Sequence, residues 1–154
     1  MLKALLQKYK ISKFLNAGLS STQHFFCDTT SHPSNNNICE LVCVTYNNAD
    51  LLQHQATLLK KYFAGPFNFI VADNSSDEGC RMKIADFCKK EKISYVSLPE
   101  NPFSTGSQSH AAAINWMIKN YILAKRPAYF GFIDHDIFPV EPFSIDKILS
   151  KQAA

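Results

Sequence analysis

Ala128-Tyr129-Phe130-Gly131-Phe132-Ile133-Asp134-His135-Asp136 is an apolar, aromatic-rich run that breaks into two acids and continues as Ile137-Phe138-Pro139. A six-residue run of this kind fits a strand covered on both faces, and the acids then stand at its carboxyl edge. In open α/β sheets that edge is where ligands bind. Two carboxylates there suit a hard divalent cation, because Mg²⁺ and Mn²⁺ prefer oxygen ligands and share them with substrate phosphates. Acids also follow strands because turns are polar, so the tripeptide alone leaves metal binding and plain turn formation both open.

Upstream, short apolar runs alternate with longer helical periods from residue 38 onward. Strands are predicted at 38–45, 67–72 and 93–98, with the fourth ending at Asp134. Between the first two, Asp50 can cap a helix with the stripe Leu52, Ala56, Leu59 and Phe63, which Gly65-Pro66 stops. Ser76 and Asp77 open a second helix carrying Ile84, Ala85, Phe87 and Cys88, with Lys89, Lys90 and Lys92 at its negative end. A loop rich in Pro, Ser and Gly leads to a long helix through Ala111, Ile114, Met117 and Tyr121, and a last helix is expected within 142–151. Such alternation predicts an α/β fold: a Rossmann-like, mostly parallel four-stranded sheet with helices on both faces. Right-handed crossovers then bring all four carboxyl ends to one edge.

The 154 residues are 46% hydrophobic and 19% charged, the composition of one globular domain rather than of a disordered chain. A net charge of +3 with dispersed lysines does not indicate a nucleic-acid surface. Five cysteines, an odd set without a Cys-x-x-Cys pair, argue against a zinc knuckle and a disulfide framework and for a reducing, cytoplasmic setting. No signal peptide or apolar stretch of the roughly eighteen residues a spanning helix needs is visible. Residues 1–37 read as a helical appendage and linker before a domain at 38–154. Leu2, Leu5, Leu6 and Tyr9 recur at helical spacing among Lys3, Lys8, Lys10 and Lys13, and a polar stretch ends in Ser34-Asn35-Asn36-Asn37. The helix is expected to dock on its own domain; weak contact of residues 1–15 with a membrane surface is the alternative.

Polar residues follow each strand: Thr45-Tyr46-Asn47-Asn48, then Asp73-Asn74-Ser75-Ser76-Asp77, then Asp134-His135-Asp136. An Asp beside a tyrosine ring could accept from a pyrimidine N–H while the ring stacks on the base, and the distal acids could hold a metal on a pyrophosphate. For Asn48, Ser75 and Asp77, turn formation or helix capping explains the residue equally well. His135 is expected to point away from both acids, since neighbours on an extended segment face opposite sides.

In order, Val44-Thr45-Tyr46-Asn47-Asn48, Ala72-Asp73-Asn74-Ser75-Ser76-Asp77 and Phe132-Ile133-Asp134-His135-Asp136 resemble the donor-binding half of a family 2 glycosyltransferase with the GT-A fold, over residues 38–145. The resemblance implies a strand order 3-2-1-4 and a nucleotide-sugar donor, a UDP-sugar above all. It implies nucleotide contacts from Thr45, Tyr46, Asn47, Asp73 and Asp134, and a Mn²⁺ or Mg²⁺ held by Asp134 and Asp136, with Asp136 the direct ligand. Where the family often pairs two acids, Ala72 precedes Asp73 and only the second is kept.

Asn101 to His110 is similar to the family's loop and helix start before the metal strand, which implies donor phosphate or sugar contacts from Ser107 and His110. Free N–H groups at a helix start attract phosphate; a half-buried histidine on a capped helix is the other reading. The acceptor would be a glycan, lipid or protein. No general base can be assigned: Glu141 is near in sequence but lacks context, and in the family the base and acceptor site follow the metal strand. The chain is therefore expected to be the donor-binding half of a longer enzyme. A nucleotidyltransferase would show a Gly-rich basic loop after the first strand, and 45–50 has neither Gly nor Lys. A non-catalytic interaction fragment remains the other alternative.

Overall fold

Runs of β-branched and aromatic residues pair side by side because only a sheet with both faces covered satisfies their backbone groups and buries every side chain. The computed structural model describes residues 2–27 and 38–152. Helix α1 (Leu2–Asn16) and a two-residue strand β1 (His24–Phe25) come first. Then follow β2 (Cys39–Thr45), α2 (Ala49–Tyr62), β3 (Phe67–Asp73), α3 (Glu78–Lys90), β4 (Ser94–Ser97) and α4 (Gly106–Met117). A π-helical turn (Ile118–Ile122) and a short α5 (Leu123–Lys125) extend α4 into β5 (Tyr129–Asp134), and α6 (Ile145–Gln152) comes last. The expected linker through Asn35, Asn36 and Asn37 lies outside the described residues.

The sheet order is β1-β4-β3-β2-β5. Strands β2 to β5 are parallel, in registers such as Val44↔Ala72 and Val44↔Asp134. The expected count of four is corrected to five by β1, which pairs antiparallel with β4. Two residues are too few to leave a periodic signal. What holds β1 is tertiary: Ser97 N donates to Gln23 O at 2.8 Å, and the Phe25 ring stacks on Tyr95 at 5.4 Å.

Alternation along the strands splits the core in two. Leu41, Cys43, Phe69 and Val71 face α2 and α3 through Leu52, Leu59, Ile84 and Cys88. Val42, Val44, Ile70 and Val96 face α4 and α1 through Trp116, Met117 and Phe14. Helices therefore cover both faces of the central strands, but no residue of β5 is buried, which corrects the expectation that its apolar run is covered on both faces: it is the outer strand of the sheet. The crossover after β2 runs on one side and the crossover into β5 on the other, which makes the β2–β5 boundary the topological switch point.

Local chemistry sets the helix ends. The α2 cap is Asn48, whose Oδ1 accepts from Leu51 N at 3.0 Å, and not Asp50, which lies within the first turn at the positive end of the helix dipole. Asp77 caps α3 by accepting from Cys80 N at 2.7 Å. Hydrogen bonds from Cys80, that of its backbone N–H foremost, hold the Asp77 carboxyl below the usual range. Among the described residues no helix is long and apolar enough to cross a membrane.

Candidate functional site

At the carboxyl edge, three strand ends and the start of α4 enclose an open cleft of about 850 Å³. Val44 and Tyr46 come from the β2 end, Asn74 to Ser76 from β3, and His135 from β5. The far wall is Glu100, Asn101 and Phe103 with the helix start Thr105-Gly106, Ser109 and His110.

Asn47 ties the first two strand ends together. It adopts a left-handed conformation (φ 48°), which Asn tolerates better than most residues. Its N–H donates to Ser75 Oγ at 2.8 Å, and its side-chain oxygen accepts from Ser76 N and Asp77 N, both at 3.0 Å. Asn47 thus acts as a staple between loops, its carbonyl oxygen engaged by the protein itself. Tyr46 stands beside it, 49% exposed, with its hydroxyl 3.0 Å from Ser76 Oγ, and so presents a ring to the cleft.

Asp73 was expected to reach a base, but it is fully buried. Its Oδ1 accepts from Ser75 N at 2.9 Å and its Oδ2 from the Tyr95 hydroxyl at 3.0 Å. Burial, and then the Asp73 charge, push the Tyr95 phenol far above its ordinary value, so it stays a donor. The carboxylate shapes the 73–77 turn and turns no oxygen to solvent.

The acids lie on a tight turn, with Ile137 N donating to Asp134 O at 3.1 Å. Asp134 and Asp136 are exposed, and Asp134 Oδ1 meets His110 Nε2 at 3.0 Å. His135 lines the cleft, whereas Asp134 and Asp136 are not among its lining residues, so the histidine and its two neighbouring acids are set apart as expected. Beneath the turn, burial and then the negative charge of Asp134 drive the Cys43 thiol far upward, with Cys88 and Asp136 adding. Asp136 pairs with no cation among the described residues.

Three residues to which the sequence assigned no role hold the site in place. Gln55, fully buried on the α2 stripe, donates through Nε2 to Asp134 O at 2.6 Å and Ile137 O at 2.8 Å, clamping the acid turn. An amide on an otherwise apolar stripe was the available signal. Arg81 donates to Ser75 O at 2.6 Å and Ser97 Oγ at 2.7 Å, bridging β3 and β4 at the cleft wall. Asn101 Nδ2 donates to Asn74 Oδ1 at 3.0 Å and to Ser109 O at 2.9 Å, fixing the far wall. Among the described residues the buried side-chain polar atoms without a partner are Thr45 Oγ1 and Gln55 Oε1. Both residues adjoin the acid turn, Thr45 being next after the Val44↔Asp134 pair.

Ser107 is exposed in the first turn of α4, outside the cleft lining, while Thr105 caps that helix by accepting from Gln108 N at 3.3 Å. Glu141 is exposed on the loop before Phe143 and makes no hydrogen bond or ion pair among the described residues. Among the described residues no group of three or more His, Cys, Asp or Glu side chains is placed to hold a metal ion. A cation at the turn would therefore take two carboxylates from the protein and its remaining oxygens from substrate and water, a donor set that suits Mg²⁺ or Mn²⁺. A second cavity of about 230 Å³ lies at the amino ends of β3 and β4, where two of its three charged residues, Lys60 and Glu91, pair with each other at 2.8 Å and Lys92 is the third. No protein-family model matches the chain, and no curated protein matches it.

Proposed function

We propose that the cleft binds a nucleotide-sugar, a UDP-sugar being the donor that the motif resemblance implies, and that the chain is the donor-binding part of a GT-A glycosyltransferase. One observation carries this reading: the ends of three strands and one helix meet in a single cleft at the switch point, lined by the Tyr46 ring and by His135 of the acid turn, with the wall residue His110 meeting Asp134 at 3.0 Å. Its volume lies within the range of small-molecule sites. The order β4-β3-β2-β5 of the parallel strands supports the same reading.

Tyr46 stacks on the base, and the 73–77 turn, shaped by Asp73 and Asn47, borders it. The unpaired N–H groups that open α4 face the diphosphate. Asp134 and Asp136 would hold Mn²⁺ or Mg²⁺, which when bound neutralises charge developing on the leaving diphosphate. His110 orients Asp134 from the cleft side, and Gln55 fixes the turn from the core side. A glycan, lipid or protein hydroxyl would receive the sugar.

Calorimetry with UDP and Mn²⁺ tests the reading. Binding heat is expected with the intact chain, and Asp136→Asn should weaken it at least about tenfold, as changes at metal sites do. No heat with the intact chain, or equal heat with the variant, would sink the donor site. Pyrophosphate release from a nucleoside triphosphate would assign the cleft to nucleotidyl transfer instead.

A further inference from the structure

We propose that α1 docks the protein on an anionic membrane surface. The helix has two apolar faces, and only one is used within the fold. On the inner face Phe14 is buried and Ile11 half-buried, and Gln7 Nε2 donates to Pro102 O at 2.7 Å. At the helix end, Lys119 Nζ donates to Leu15 O at 2.8 Å and Trp116 Nε1 to Ala17 O at 3.0 Å. The outer face carries Leu2, Leu5, Leu6 and Tyr9, exposed by 81, 59, 55 and 65%. Their spacing of three, one and three residues makes one continuous stripe at 3.6 residues per turn, and it looks away from Gln7, Ile11 and Phe14.

Single exposed leucines are ordinary on protein surfaces, but a stripe of four with this charge border is not. Lys3 and Lys10 flank it on one side and Lys8 on the other, with Lys13 beyond Tyr9, and α1 contains no acid. These four lysines exceed the net +3 of the whole chain, so the remainder nets −1 and the positive charge is concentrated on α1. A second copy would bring the same lysines face to face, which repels. An anionic bilayer fits both halves of the pattern: leucines enter the acyl boundary while lysine stems carry their ammonium groups to the headgroups.

Attachment of this kind also positions the cleft. Gln7 bonds Pro102, and Lys10 reaches Glu100 at 3.6 Å, on the loop whose Glu100, Asn101 and Phe103 form the far wall. A membrane that holds α1 therefore holds the cleft beside it, whatever the cleft binds.

Co-flotation of the full chain with phosphatidylcholine vesicles, with and without phosphatidylglycerol, tests this. Flotation is expected on the anionic vesicles only, and salt near 1 M should release the protein because the screening length falls to about 3 Å. Each lysine reversed among Lys3 and Lys8 should lower partitioning at least about fivefold. Leu5→Ser with Leu6→Ser should abolish it, with an unchanged melting temperature showing that the fold is intact. The proposal is overturned by absent flotation, by equal flotation on neutral vesicles, or by variants that float like the parent. Sedimentation equilibrium showing a dimer that Leu5→Ser abolishes would assign the stripe to a second copy and overturn it as well.

Discussion

Gln55 shows how one side chain links the core to the cleft. Its amide donates to the carbonyls of Asp134 and Ile137 from a fully buried position, so the acid turn is anchored on α2 as well as on β5. Gln55→Leu keeps the volume and leaves the Ile137 carbonyl without that donor. A buried group left unsatisfied costs about 1–3 kcal/mol, which for a domain of this size lowers Tm by roughly 4–8 °C at the middle of that range. Thermal unfolding measures it; an unchanged Tm would mean that the turn holds without the clamp. Gln55 also marks where sequence reading stops. Periodicity placed Leu52, Ala56 and Leu59 on the buried face, and they are buried. Periodicity carries no information on which carbonyls a buried amide meets, because Asp134 is 79 residues away in the chain. The same limit applies to Asp73: its place after a strand was legible, but its turn inward to Tyr95 depends on a strand that follows a whole helix later. The divergence of His135 from its two acids was legible, but which of the three lines the cleft was not, since strand alternation does not say on which side the helix start of α4 closes the wall.

Among the elements, the π turn, like β1, is one that propensity could not foresee. It winds Tyr121 inward so that its hydroxyl donates to Glu40 Oε2 at 3.0 Å, while Lys125 Nζ reaches Glu40 Oε1 at 2.6 Å and the Tyr121 oxygen at 3.1 Å. Glu40 is 2% exposed, so these bonds are what make its burial tolerable. Burial, and then the Glu40 charge, push the Tyr121 phenol up to about 12, against the opposing pull of Lys125. In the unfolded chain it titrates near 10. Between those values the unfolded state binds fewer protons than the folded one, so stability falls as pH rises. Below about pH 10 the contribution is whole; by about pH 12 some 2–3 kcal/mol is gone, at 1.36 kcal/mol per pH unit. Lys125 acts in the same direction: its hydrogen bonds to Glu40 and Tyr121 outweigh burial and raise its pKa, and its contribution too is lost in alkali. Urea titrations from pH 8 to 12 should show this decline, with a shallower slope for Tyr121→Phe. Parallel slopes would show that the phenol keeps its ordinary titration in the fold.

Across the whole molecule, cover is uneven and the acid turn sits at the less protected side. All residues of β2 and all but the first of β3 are buried, whereas no residue of β5 is, and Phe130 is 50% exposed. β5 is also the outer strand, bonded to β2 and to no other strand among the described residues. Local opening follows such differences, and sites that must admit a ligand are drawn from the less stable end. Hydrogen exchange under native conditions should therefore rank β2 and β3 slowest. The β5 amides bonded to β2 should be intermediate, and the alternate β5 amides on its outer edge fast. An exposed edge with apolar side chains is also where strands add, so the same experiment at rising protein concentration separates intrinsic protection from association. Protection of the outer β5 amides equal to that of β2 at every concentration would overturn the ranking. In that case the acid turn would stand on a strand as rigid as the centre of the sheet, and ligand entry would fall to the loop at Glu100 to Thr105.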